Sequence, residues 1–560
     1  MKIENSKLKI KSITNKYGLI IIIAGLFILT RFFGLGQIYH QDEYRWASIA
    51  NPFFGNFSSP HPPLAEYLYK FAGRVFGFGN LRIVPLFFSF LNLVLVYLVS
   101  LKITKNKNIA LIAAGLFTVN IYSLIANLQI DIDGAILPFF ILLTYYAYLH
   151  TLEDGKTKKR WLVLLGLAVV GGFLTKLSFL LFIGAPIADW LLSAYYSREK
   201  IGLKIILSKA WPWLAGFVAA GAVFYYFYAI YFNGVITYAE HFKSLNFASR
   251  AYFDLVFKIF KSFVWLSPLL ALPVLYGFFR KEIINRYRIW FIYLFLNLIF
   301  YLVLFDFSTL TIERYFMFLI VPSVLISAEA IFNLFKGQNI RKSAYIIAIT
   351  TFVTLSFLIL SLPHDVLPLN PKEAYVDKVR SLEFNFLIPF TGGSGPSGFY
   401  FSAWFILLAW IIACVSLFGV ILNKHKKNLF LAVFIVLGVG YNLIFSTEYL
   451  SGAVYGSVDK VAKETIEYVN SSNSVDKVIT YYDIGAYYLR LSGKYYSRFY
   501  TAPKRDYTPK IESYRGQYMI IDFPAIDKNG RYWPLISRCP VIKKFQDKKI
   551  ESYVFDCSKI

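Results

Sequence analysis

Two short stretches combine residue types that could handle a proton and an anion in one place. They read Gln41-Asp42-Glu43-Tyr44-Arg45-Trp46 and Ser59-Pro60-His61-Pro62-Pro63-Leu64. Asp42 and Glu43 are adjacent carboxylates, and a positioned carboxylate can take the proton from an attacking hydroxyl. Arg45 follows Asp42 by one helical turn, so both could face one site, where a guanidinium can hold an anion. His61 could bind a phosphate or a metal, with a charge near pH 7 that depends on its surroundings. Glu66 is a weaker candidate. Further on, Asp131-Ile132-Asp133 would put both carboxylates on one side of an extended segment, a pattern able to hold a divalent cation. Lys176 and Arg314, each next to an apolar run, could bind a phosphate. Plainer alternatives exist for each: a hydrated acidic pair capping a helix, packing beside prolines for His61, and cations snorkelling to lipid headgroups.

The elements that must position these residues are membrane helices. Of 560 residues, 57% are hydrophobic and 16% charged, against about 25% charged for a soluble domain. Such a chain has too little polar surface for a water-soluble body. The net charge of +25 would suggest nucleic acid in a soluble protein. Here it marks basic cytoplasmic loops and anionic lipid instead, and no nucleic-acid partner is expected.

Apolar runs are expected to cross the bilayer about thirteen times. The first, Gly18 to Phe33, follows Lys7, Lys9, Lys11 and Lys16 and has no small-residue cleavage pattern after it, so it reads as a retained helix. The others fall near 81–101, 109–129, 134–150, 161–175, 177–194, 210–232, 262–279, 289–305, 314–335, 343–362, 399–422 and 429–447. Every second connecting loop is basic, from Lys102, Lys105 and Lys107 through to Lys424, Lys426 and Lys427. That alternation predicts a cytoplasmic N-terminus and an outside tail. The outside then holds the loop 37–80, the stretch 233–261, the stretch 363–398 and a tail from 448 to 560. The domains expected are thus 1–447 in the membrane and 448–560 outside. In the tail, Val458–Val469 reads as an amphipathic helix, and Lys477–Tyr481, Tyr518–Phe523 and Ser552–Phe555 read as strands, a small α/β domain. Cys414 lies within an apolar run. Cys539 and Cys557 could pair on an oxidising side or remain two buried thiols. Asn56-Phe57-Ser58 and Asn470-Ser471-Ser472 are sequons on the side expected to face outward.

A coupled transporter would place ionisable groups within its spans. These spans are nearly free of charge at mid-depth, and Arg31, Lys176, Asp189, Arg314 and Glu329 lie toward span ends. The charged residues gather at the outer ends of helices, which suits chemistry on a substrate with its tail in lipid and its head outside.

The acidic pair after the first span, with the His-Pro-Pro-Leu turn, resembles the polyprenyl-phosphate-sugar glycosyltransferases of the protein O-mannosyltransferase and aminoarabinose-transferase type. Asp133-Gly134-Ala135-Ile136-Leu137-Pro138-Phe139-Phe140 is similar to that family's Asp-containing start to the fourth span. Gly172-Phe173-Leu174-Thr175-Lys176 is similar to its Gly-Leu-x-Thr-Lys segment, and Glu313-Arg314-Tyr315 with Pro322 to its Arg-Tyr helix start. The likeness covers about residues 18–335, and His61 departs from it, since many members carry Lys there.

The resemblance implies a GT-C fold: an α-helical polytopic membrane protein with a small extracytoplasmic α/β C-terminal domain. It implies Asp42 as general base, and Glu43 is expected to orient the acceptor or Asp42 itself. Arg45, His61, Asp133, Lys176 and Arg314 are the expected substrate-binding residues. A divalent cation on Asp131 and Asp133 is open, because such a pair holds metal elsewhere in GT-C enzymes while this branch need not use one. The partners implied are a polyprenyl- or dolichyl-phosphate-linked sugar and a protein, lipid or glycan acceptor. An oligosaccharyltransferase with a pyrophosphate donor and a lipid-headgroup flippase are the competing functions.

Overall fold

The computed structural model describes residues 18–40, 42–55, 59, 61–153, 158–196, 252–304, 313–338, 340–367, 372–390, 399–423, 425–481, 483–499, 506–522 and 528–558. The expected span at 210–232, the sequon at Asn56 and the Gly/Pro/Ser-rich stretch Thr391 to Gly398 lie outside them.

Helices dominate the first 451 residues. They are α1 (Gly18–Phe32), α2 (Asp42–Ala50), α3 (Leu64–Phe76), α4 (Ile83–Thr104), α5 (Lys107–Val119), α6 (Ile121–Leu128), α7 (Ile136–Thr151), α8 (Lys158–Thr175) and α9 (Phe179–Tyr196). After the undescribed stretch come α10 (Tyr252–Leu266), α11 (Pro268–Phe278), α12 (Arg288–Ile299), α13 (Ile320–Phe335), α14 (Lys342–Leu360), α15 (Ala403–Leu422) and α16 (Lys427–Ser451). Among the described residues, five helices are long and apolar enough to cross a membrane, or seven if each bent pair counts as one. Four shorter apolar helices accompany them. The apolar outer faces, such as that of α14 with Ile346, Val353 and Phe357 exposed, suit contact with lipid.

Two of the expected spans, 109–129 and 262–279, are broken. α5 and α6 meet at 66°, and the end of α10 meets α11 at 108°. At the first break Asn120 adopts an extended conformation and its side chain caps α6 through the Ser123 N–H. At the second, Ser267 has φ 73 and Pro268 starts the next helix. A break exposes backbone groups that lipid cannot satisfy. Asn442 of α16 resolves both. Its Oδ1 accepts the Ile121 N–H at 2.9 Å, and its Nδ2 donates to Ser267 Oγ at 3.0 Å. Asn120 Nδ2 closes the knot on the Leu266 carbonyl at 2.8 Å. The helix α10 also starts at Tyr252, inside the stretch expected as an outer loop. Its apolar residues repeat at helical spacing and suffice to extend it.

The tail is a five-stranded mixed sheet with one helix laid across it. Its strands, after the short hairpin β1 (Leu387–Pro389) and β2 (Tyr400–Ser402), are β3 (Val478–Tyr481), β4 (Tyr495–Phe499), β5 (Gln517–Asp522), β6 (Val541–Asp547) and β7 (Ile550–Asp556). The order is β4-β3-β5-β7-β6, with β3 parallel to β4 and β5, and β7 antiparallel to β5 and β6. The helix α17 (Val458–Ser471) buries Val461, Ala462, Ile466 and Val469 and bonds β7 through Thr465 and Ser552. A disulfide joins Cys539 to Cys557, 18 residues apart.

Thiol counting checks this arrangement. Unreduced, denatured full-length protein should yield one alkylatable cysteine, Cys414. Replacing Cys539 and Cys557 together by Ser should lower the stability of the tail by about 2–4 kcal/mol. Three alkylated cysteines in unreduced protein would refute the bond.

Candidate active site

Glu43 lies in the first turn of α2 and is fully buried. Its Oε1 and Oε2 face Arg82 Nη1 at 2.5 Å and Nη2 at 2.9 Å. The same oxygens accept the backbone N–H groups of Ile130 at 2.9 Å and His40 at 3.2 Å. Arg82 precedes α4 and spends its other protons on the carbonyls of Leu128 (2.7 Å), Ile38 (2.7 Å) and Gln37 (3.3 Å). Burial pushes the Glu43 carboxyl upward, while the Arg82 charge and hydrogen bonds pull it back. With four donors on two oxygens the carboxylate has little capacity left. Those bonds tie the turn that carries Asp42 to Arg82, His40 and Ile130. Asp42 opens α2, and its side chain lies outside the described part of the structure.

A second set of charges gathers around Tyr315. Lys176, just past α8, sets its Nζ 2.7 Å from both carboxylate oxygens of Asp133. Arg314 Nη1 is 3.0 Å from Asp131 Oδ2. Both cations lie over the Tyr315 ring, at 5.3 and 4.9 Å from its centroid. Asp131 is also held by its backbone, whose carbonyl accepts from Tyr69 Oη at 2.8 Å. Burial raises the Asp133 carboxyl, and Lys176 opposes it.

His61 stacks on Trp46, with ring centroids 6.1 Å apart. Burial, followed by the charges of Lys176, Arg314 and Arg45, holds its imidazole well below the usual range. That shift favours the neutral imidazole. In that form it donates or accepts one hydrogen bond at each ring nitrogen. Arg45 is exposed on α2, close enough for its charge to act on His61. Glu66 pairs with Lys70 at 2.6 Å and accepts the Ser59 N–H at 3.4 Å.

The structure thus brings together Arg45, His61, Asp131, Asp133, Lys176 and Arg314 from five separate stretches, and adds Tyr315. Both oxygens of Asp133, and one oxygen of Asp131, already face fixed cations. A divalent ion on this pair would have to displace Lys176 and Arg314. Among the described residues no three metal-ligating side chains cluster.

Arg82 was not singled out from sequence, although an arginine at the mouth of a span, in Asn80-Leu81-Arg82, was the available signal. The tail's contribution was also missed. Helix α18 (Ala486–Leu491) packs on α2, with Arg490 Nη1 on Tyr44 Oη at 2.7 Å and Asn51 Nδ2 on Tyr487 Oη at 3.0 Å. Asp459 of α17 accepts the Ile38 N–H at 2.7 Å.

The architecture is the GT-C glycosyltransferase fold. ArnT from Cupriavidus metallidurans superposes with a TM-score of 0.51 when bound to undecaprenyl phosphate and 0.52 in its apo state. In both cases identity is 12%, and 96% of this chain and 98% of that chain are covered. Residues 60–238 match the family described as dolichyl-phosphate-mannose-protein mannosyltransferase. Dolichyl-phosphooligosaccharide-protein glycotransferase 1 of Archaeoglobus fulgidus is 29% identical over 157 residues, which span 26% of this chain and 24% of that protein.

The buried pair generates a stability prediction. Arg82→Met strands the Glu43 carboxylate and should cost about 3–5 kcal/mol. Adding Glu43→Gln should recover part of that loss, because the buried charge is gone. Thermal melts of the detergent-solubilised full-length variants measure both, and additive losses would mean that the pair is not coupled.

Proposed function

We infer that this chain is an inverting glycosyltransferase that moves a sugar from a polyprenyl-phosphate donor to a hydroxyl on the outer face of the membrane. The observation that carries this reading is the meeting of Lys176, Arg314 and His61 beside the helix that begins with Asp42. Cations held by fixed partners can take a phosphate without reorganising, and they stabilise its charge as it leaves. Polyprenyl phosphate as the lipid agrees with the undecaprenyl phosphate in the ArnT structure, and the matched family adds dolichyl-phosphate mannose as a donor class.

In the reaction the acceptor oxygen attacks the anomeric carbon, the bond from that carbon to the phosphate oxygen breaks, and its electrons leave on the phosphate. Asp42 takes the acceptor proton. The oxygens of Glu43 are committed to Arg82, so it supplies no second nucleophile. A single displacement inverts the anomeric centre. Arg314 and Lys176 bind the lipid phosphate, His61 hydrogen-bonds it, and Arg45 lines the approach. The acceptor is a protein, lipid or glycan hydroxyl. The archaeal relative favours a second reading, transfer of an oligosaccharide to protein. Lipid analysis of cells lacking the protein separates the two by the donor that accumulates.

The proposed orientation puts the N-terminus in the cytoplasm and residues 448–560 outside. Ser474 and Lys426 are both exposed. In intact cells, a cysteine replacing Ser474 should react with an impermeant thiol reagent, and one replacing Lys426 should not. The reverse pattern would move the site to the other face.

Asp42→Asn keeps the shape and removes the basicity. This variant should insert, melt and bind donor lipid like wild type, and lose sugar transfer by about 10²–10⁴-fold. Arg314→Ala should instead weaken use of the donor more than use of the acceptor. Unchanged transfer by Asp42→Asn would end the general-base assignment. Absence of transfer by wild type from any polyprenyl-phosphate sugar would favour a flippase, which leaflet-specific labelling of the lipid would then reveal.

A further inference from the structure

The two cations suited to a phosphate are each matched by an aspartate. Lys176 Nζ touches both oxygens of Asp133, and Arg314 Nη1 touches Asp131. All four side chains are at most 11% exposed, so solvent screens these charges weakly. A site built only to grip phosphate would be stronger without the carboxylates. They do hold the cations in place, yet Tyr315 already lies under both, and Arg314 also bonds Tyr315 Oη at 3.2 Å.

The donor and the spent lipid differ in charge. A sugar joined through phosphate to a polyprenol is a diester with one negative charge. Transfer leaves a phosphate monoester carrying about −1.5 to −2 at pH 7. Coulombic attraction scales with the charge of the ligand. Each positive charge cancelled at the site therefore weakens the monoester nearly twice as much, in free energy, as the diester.

We propose that Asp131 and Asp133 are release residues, which lower the positive potential at Arg314 and Lys176 so that the dianionic spent lipid leaves while the monoanionic donor still binds. The proposal rests on the glycosyl-transfer reading of the same site and adds a role for its two aspartates. They touch the phosphate-binding cations rather than the reacting atoms, and act through them. Without this balance the product would be the tightest ligand, and turnover would be limited by its departure.

Binding of undecaprenyl phosphate and of its methyl diester to purified full-length protein in nanodiscs tests the proposal. Asp131→Asn and Asp133→Asn are compared with wild type, each first shown by its melt to be folded. Each variant should bind the monoester about tenfold more tightly and the diester only about threefold, the ratio that their charges dictate. At pH 5, where the monoester carries close to one charge, its gain should fall toward that of the diester. If either folded variant binds the monoester more weakly than wild type, that aspartate positions its cation and the release role is wrong. Equal gains for the two lipids also overturn it. If wild type binds neither lipid, the phosphate site itself fails and the inference falls with it. If wild type binds both and neither variant shifts the ratio, only the inference falls.

Discussion

The buried bond between Glu43 and Arg82 is the constraint on which the site's geometry depends. Taking two charges out of water is expensive, and their attraction offsets the cost only when the remaining donors and acceptors are satisfied. Here they are satisfied by backbone from two other places: 37–40 in the loop after α1 and 128–130 at the end of α6. The pair thus sets the distance between the start of α2, the mouth of α4 and the segment leading to Asp131. An apolar pair could fill the same volume but could not reach five backbone groups. Fixed positions of this kind are what a reaction between two bound partners requires.

The broken helices perform a related task deeper in the membrane. Because α6 turns by 66° away from α5, its C-terminus delivers Asp131 and Asp133 beside Lys176 and Arg314. A straight helix over the same residues would carry the aspartates away along its axis. The freed backbone at both breaks converges on Asn442, in the last membrane helix. A polar residue buried in that helix is therefore tied to the position of an acidic loop more than 300 residues earlier in the chain. Arg31 has a comparable place at the end of α1: it is fully buried and donates to the Thr118 carbonyl, in the last turn before the break.

Much of this was legible in the sequence, for reasons that differ by element. Hydrophobic runs located the helices because lipid rewards an apolar length. His61, Asp133, Lys176 and Arg314 were singled out by residue type and motif, and the structure gathers them near one another. Strands β3, β5 and β7 are the central strands of their sheet, and their apolar runs gave them away. Strands β4 and β6 are its two edges. Lys543 and Lys544 in β6 are exposed, as suits an edge that must not pair further, and that exposure erased the strand pattern. The helix breaks were hidden because hydropathy does not register a φ of 73 at Ser267. The partner of Glu43 was hidden because 39 residues separate the two and no local rule links them.

The tail completes the argument about preorganisation. Arg490 sits among the rings of Tyr44, Phe54 and Tyr495, with centroids 5.6–6.0 Å away, and donates to Tyr44 two residues beyond Asp42. Asp459 holds the Ile38 N–H at the loop's beginning. Helix α2 is thereby held from the membrane side by Arg82 and from the tail by Arg490. The backbone at its first residue, Asp42, inherits that double restraint. The proposed base must approach a water-borne hydroxyl and also avoid the lipid phosphate's negative charge. Both demands concern where the helix starts, and the residues that answer them come from the first loop, the second span and the last hundred residues of the chain. A membrane domain without the tail would keep Lys176 and Arg314 in place but leave one face of α2 bare, with Tyr44 and Asn51 losing their bonds to Arg490 and Tyr487. The tail therefore helps to fix the position of α2.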